Sequence, residues 1–293
     1  MDNNGSPKIS LNPIGSLFSD AWRLYKERWS VLIEIILLPT LVVILGTVLI
    51  VLDLGSLFRV LGGLIVFIGW ITFAYSVLPI IYSVHHATGV DASYKATIGW
   101  FWPFVWLGIL EFLAVIGAYV MLIIPGLWLG LAVSFAVYVF VIEGRRGIDA
   151  LRQSKDYVKG YWWAVLGRVL LLELVYLAAM LVIRIPVAMV GGQVVGAVAS
   201  LVIVPFFVPF AMIYSYLIFQ NLRERKPELA EAHTKEGTGF IKTSAIVGIV
   251  APVILIVLAV ALAGAGAFYM MRHTTIHYVP PPGYNAQVPP LQQ

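Results

Sequence analysis

The stretch "VLIEIILLPTLVVILGTVLIVL", residues 31–52, runs apolar for longer than the roughly 20 residues that carry an α-helix across a bilayer. Several other stretches do the same. In lipid every backbone N–H and C=O must be satisfied inside the chain, so only helices or a closed barrel can span. Barrel strands would alternate polar and apolar residues over about ten positions, and these runs do not alternate. The expected fold class is therefore an all-α integral membrane protein. Composition agrees: 60% of the 293 residues are hydrophobic and 12% charged, with a mean hydropathy of +0.92, against about 45–50% apolar in soluble domains.

Seven spans are expected, over 31–52, 60–84, 101–124, 127–143, 162–188, 194–220 and 241–271. They divide the chain into an N-terminal segment (1–30) with an amphipathic helix, a six-helix membrane core (31–221), a basic linker (222–240), an extra helix (241–271) and a Pro-rich tail (272–293). Of the 19 Lys and Arg residues, only Arg59, Arg184 and Arg272 fall on the side of the short turns "DLGSLF", "IIPG" and "VGGQ". The rest gather on the opposite side, which the positive-inside rule makes cytoplasmic. The N-terminus is then expected in the cytoplasm and the C-terminus outside an inner (cell) membrane. The first thirty residues lack the compact apolar core and cleavage site of a signal peptide.

Two segments on the basic side have helical apolar periodicity and end in tryptophan. Leu11, Ile14, Phe18, Trp22, Tyr25 and Trp29 line one face of the first. Ile148, Leu151, Lys155, Val158 and Trp162 line the second, with Lys155 the one interruption and Asp149, Arg152, Asp156 and Lys159 on a polar stripe. Both are expected as amphipathic elbow helices at the membrane interface, feeding directly into a span. They also match in register. Lys26 corresponds to Lys159, Trp29 to Trp162 and Leu37 to Leu170, while "IIYS" at 80–83 echoes "MIYS" at 212–215. A weaker copy, "SYKATIGWFW", precedes the third span. Elbow-plus-hairpin pseudo-repeats over 11–86, 91–143 and 148–221 follow.

The segment "IPGLWLGLAVSFAVYVFVIEGRRGIDALRQSKDYVKGYWWAVLG" resembles the membrane domain found with glycerophosphodiester phosphodiesterases in bacterial and archaeal multi-pass proteins. The resemblance rests on Pro125-Gly126, Glu143-Gly144, the Ala150-Leu151…Ser154 helix and the Lys159-Gly160…Trp162 lead-in, with "YSYLIFQNLRERKPE" as a fitting end. It covers about residues 10–228. It implies a helical membrane domain and no catalytic residues, since the phosphodiesterase chemistry belongs to a separate soluble domain.

Ionisable groups inside a bilayer are costly and mark candidate sites. Glu34 and Arg168 occupy nearly equivalent places in the repeat. They are expected either to pair across the bundle, or to leave Arg168 snorkelling to headgroups. Glu111 and Glu173 lie near mid-span and either form a cation or proton site or are protonated acids bonded to a Tyr or a backbone carbonyl. Trp22, Trp29, Trp162, Trp163, Tyr82 and Tyr214 read as interfacial anchors; Tyr82, Tyr138 and Tyr214 alternatively line a vestibule. His85 and His86 do not share a helical face, and His273 and His277 lie in a Pro-rich context, so no metal set is expected. No cysteine is present, no phosphate-binding loop or nucleophile elbow occurs, and Ser154 reads as a packing contact. No cofactor and no nucleic-acid partner are expected. In the seventh span Ala259, Ala263 and Ala267 make a small-residue stripe, suited to its own bundle or to a membrane-protein partner. Three functions stay open: a non-catalytic lipid-interacting scaffold of envelope or lipid homeostasis, a transporter or permease, and a membrane enzyme acting on a lipid head group. For the first, the partners are anionic lipids of the cytoplasmic leaflet.

Overall fold

A computed structural model describes residues 11–52, 54–231, 238–254 and 259, and these are helical with no strand among them. The helices are α1 (Ile14–Val51), α2 (Ser56–Tyr75), α3 (Val77–His86), α4 (Val90–Thr97), α5 (Phe101–Met121), α6 (Ile123–Val133), α7 (Ala136–Ile142), α8 (Ile148–Val158), α9 (Trp162–Arg225) and α10 (Pro227–Glu231). A further apolar helix, α11, covers Gly239–Ile254. The chain divides after Gly248 into two units, and the contacts below belong to the first.

Among the described residues, six helical stretches are long and apolar enough to cross a membrane: Ile14–Val51, Ser56–His86, Val90–Met121, Ile123–Ile142, Trp162–Gly192 and Val204–Arg225. This is a multi-pass, membrane-type helical protein. The first six expected spans fall one in each stretch. The seventh is described only through α11, a 16-residue apolar helix, and the single residue Ala259; the rest of 241–271, including Ala263 and Ala267, and the tail with His273 and His277 lie outside the described residues.

Two boundaries differ from expectation. The turn between the third and fourth spans sits at Leu122 (φ −166°, ψ 152°), not at Pro125-Gly126. Those two residues are in the first turn of α6, where the N–H that proline lacks would have no intrahelical partner anyway. Gly126 is needed there for packing, because a Cβ would meet Tyr119. Helix α9 contains both the fifth and sixth spans and is interrupted at Gly192 (φ 80°, ψ 174°). Tyr176 and Phe207, on either side of that break, bring their rings to 4.6 Å, so the two halves fold back on each other.

The first elbow is not a separate element. Residues 14–30 continue unbroken into the span as α1, 38 residues long. Pro39 inside it removes the hydrogen bond to the Ile35 carbonyl, and the Tyr94 hydroxyl of α4 donates to that carbonyl at 3.1 Å. The weaker second copy is α4, joined to α5 through a 3-10 turn at Ile98–Trp100. The third, α8, is a distinct helix, but it is packed inside the protein. Ala150, Leu151, Arg152, Gln153, Ser154, Tyr157 and Val158 are all buried. The expected polar stripe is thus partly inward: Arg152 is buried while Asp149 is exposed.

Small residues set the closest helix contacts, as expected where lipid gives no hydrophobic drive between helices. A Cβ on Gly46 of α1 would come within 2.8 Å of the Gly62 carbonyl oxygen of α2, and one on Gly62 equally near that of Gly46. Gly117 of α5 and Gly248 of α11 likewise leave no room for a side chain between their helices.

Candidate functional site

The start of α1 runs along the end of α9. Asn12 N–H donates to the Asn221 side-chain oxygen at 3.2 Å, the Phe18 ring lies 5.1 Å from Phe210, and Tyr25 packs against the same ring at 6.0 Å. The order of these pairs makes the two helices antiparallel. Beside that seam opens a groove of about 1040 Å³. One wall is the stripe Phe18, Trp22, Tyr25, Trp29, with Gly15, Ser19 and Lys26 beside it. The other wall is Val175, Phe206, Phe207 and Phe210 of α9. Lys26 is the one charged residue of the lining. Trp22 and Trp29, expected as interfacial anchors, are 49% and 55% exposed and line this groove. Spacing identified their stripe; the opposing phenylalanines come from about 180 residues later, so periodicity gives no sign of them.

Arg168 does not meet Glu34. Its guanidinium donates to the Ala164 carbonyl at 2.7 Å and to the Asn12 carbonyl at 2.6 Å, while Glu34 is exposed on α1. Nor does Arg168 snorkel: it is 7% exposed and fastens the start of α1. Glu111 lines a cavity of about 510 Å³ with Tyr119 and Gly130. Glu173, exposed, lines a different one of about 460 Å³ with Tyr138, Tyr176 and Met212. No residue lines both cavities. Tyr138 donates to the Met212 carbonyl at 3.0 Å. Tyr214, expected at the interface, is fully buried because it sits in the α1–α9 seam, 6.1 Å from Phe18. Tyr82 is partly buried and stacks on His86 at 4.1 Å. Trp162 donates to the Trp128 carbonyl at 3.3 Å, and Trp163 is 79% exposed.

A polar knot that sequence reasoning missed lies at the end of α7. The Glu143 side chain is 3% exposed. It accepts from Tyr157 at 2.7 Å and from Gln153 at 2.6 Å, both on α8, and Arg223 at the end of α9 reaches it at 3.3 Å. Gln153 also donates to the Leu229 carbonyl of α10 at 2.6 Å. Burial pushes the Glu143 carboxyl above its usual range, against the opposing pull of Tyr157, Arg223, Arg145 and Gln153. Tyr157 is raised too, by burial first and by its bond to Glu143. Two turns of one helix, at 153 and 157, thus grip a carboxylate ten residues upstream; the i, i+4 pair was the legible signal. Ser154 is a packing contact, as expected: it accepts from the Phe135 N–H at 3.1 Å and donates to the Ala132 carbonyl at 2.8 Å, bridging the break between α6 and α7. Among the described residues no three His, Asp or Glu side chains gather as a metal set.

No family model matches the chain, and no curated protein or solved structure shows significant similarity to it.

Proposed function

We propose that this protein is a non-catalytic membrane component of envelope or lipid homeostasis that holds a lipid chain in the groove between α1 and α9. The groove carries the reading. Its volume is that of a ligand site, its walls are aromatic and aliphatic, and its single lining charge, Lys26, suits an anionic head group. A permease using Glu111 and Glu173 as one ion site draws no support from acids that line separate cavities.

In this reading the basic end is cytoplasmic, with the N-terminus inside and the C-terminus outside. Single cysteines in this cysteine-free chain test the orientation: Asp91→Cys should resist an impermeant reagent in intact cells and Leu54→Cys should react. The reverse pattern would invert the topology. The groove is tested by filling it. A Cβ added at Gly15 would meet no atom within 4 Å, so Gly15→Leu with Ser19→Trp should fold normally and lose co-purifying lipid. An unchanged lipid complement in a folded variant would overturn the lipid-holding function.

A further inference from the structure

A further cavity, away from the groove, has a different chemistry. About 330 Å³ in volume, it lies among α5, α8 and α11 and is lined by Trp106, Leu110, Ile148, Asp149, Arg152, Thr238 and Lys242. Arg152 is 4% exposed. One of its terminal nitrogens, Nη2, lies 3.5 Å from Asp149; the other, Nη1, is buried without a hydrogen-bond partner. Leaving a buried guanidinium N–H unmade is costly, and such an atom in a native fold calls for an explanation. Lys242 brings a second cation to the same lining, so with Asp149 the three ionisable side chains there sum to one positive charge. An arginine fork beside a lysine, next to an indole and an aliphatic wall, matches a phosphate group carried on an apolar body.

We propose that this cavity binds a phosphate group, with Arg152 Nη1 and Lys242 as the donors to its oxygens. Asp149 orients the arginine by holding Nη2, and Trp106 and Leu110 contact the apolar part of the ligand. The phosphate belongs either to a lipid head group or to a free ion. The lipid case rests on the lipid-holding function proposed for the groove; the free-ion case does not.

The full chain in detergent is titrated calorimetrically with inorganic phosphate, with dihexanoyl-phosphatidylglycerol and with dihexanoylglycerol, which has no phosphate. Binding is expected for a phosphate-bearing probe and not for dihexanoylglycerol. Binding of the lipid alone assigns the site to a head group; equal binding of inorganic phosphate assigns it to the free ion. Lys242→Gln, at an exposed position, should weaken binding about tenfold, or about 1.4 kcal/mol, and Arg152→Gln by more. Lys95→Gln, at a lysine paired with Asp91 elsewhere, should leave it unchanged. Three results each overturn the site: neither phosphate-bearing probe binds, folded Lys242→Gln binds like wild type, or Lys95→Gln weakens binding equally. The groove-filled variant keeps its phosphate affinity if the two sites are separate. Loss of lipid from the groove then counts against that function alone.

Discussion

Residues 26–29 and 159–162 both carry a lysine followed three positions later by a tryptophan, yet the backbone treats them differently. At Lys26-Glu27-Arg28-Trp29 the helix runs on without interruption. At Lys159-Gly160-Tyr161-Trp162 it stops, with Gly160 at φ +88°, and a new helix begins at Trp162. Two residues differ between the lysine and the tryptophan, Glu27 against Gly160 and Arg28 against Tyr161, and the first pair sets the backbone. Glutamate is a good helix former, and glycine reaches the left-handed region without the clash a Cβ brings. The partners differ as well. The first segment is held by aromatic contacts to Phe210 and by Arg168 on the Asn12 carbonyl. The second is held by the buried polar knot at Glu143. The lysine-to-tryptophan spacing is shared, and the residue after the lysine decides whether the chain turns.

The sharpest break in this comparison comes from Glu143→Ala. It deprives Tyr157, Gln153 and Arg223 of their acceptor and should cost about 3 kcal/mol, read as a lower melting temperature in detergent. Protonation tests the same group. With its folded value raised, the stability it contributes is full below the unfolded carboxyl value and is lost as pH rises through the folded one. Glu143→Gln should flatten that slope. Next, Arg168→Gln should cost about 2 kcal/mol through the lost charged hydrogen bond to Asn12, and limited proteolysis should then release the N-terminal segment first. Gly160→Ala should cost about 1 to 2 kcal/mol, whereas Glu27→Ala should be nearly neutral. Equal costs would mean that Gly160 does not set the turn. The smallest effect is expected at Glu34→Gln, within about 0.5 kcal/mol, because that exposed carboxylate is not what Arg168 holds.

Span positions were legible because a bilayer imposes a length and forbids unpaired backbone, and both constraints appear in local composition. What went unread involved distant or ambiguous partners. The Pro125-Gly126 pair has the chemistry of a turn, but the first helical turn tolerates proline as well, so the bend fell at Leu122. In α8 the pattern separated polar from apolar positions. It gave no sign that Gln153, Ser154 and Tyr157, which belong to neither stripe, turn toward Glu143 and Ala132, because those partners lie on other elements. Glu34 and Arg168 stood at equivalent repeat positions, which left either a pair or a snorkelling Arg168. Charge and register carry no account of a backbone carbonyl at Asn12, which any residue type would present. The aromatic stripe from Phe18 to Trp29 was visible as a stripe, and the groove it lines needed α9 to fold back at Gly192.

The hydroxyl of Tyr94 on the Ile35 carbonyl has a mechanical consequence. At 1.5 Å per residue, 38 residues form a rod about 57 Å long, and proline is where such a rod is weakest in bending. The missing strap at Pro39 is replaced from outside by a neighbouring helix. Stiffness of α1 at that point therefore depends on α4 staying docked.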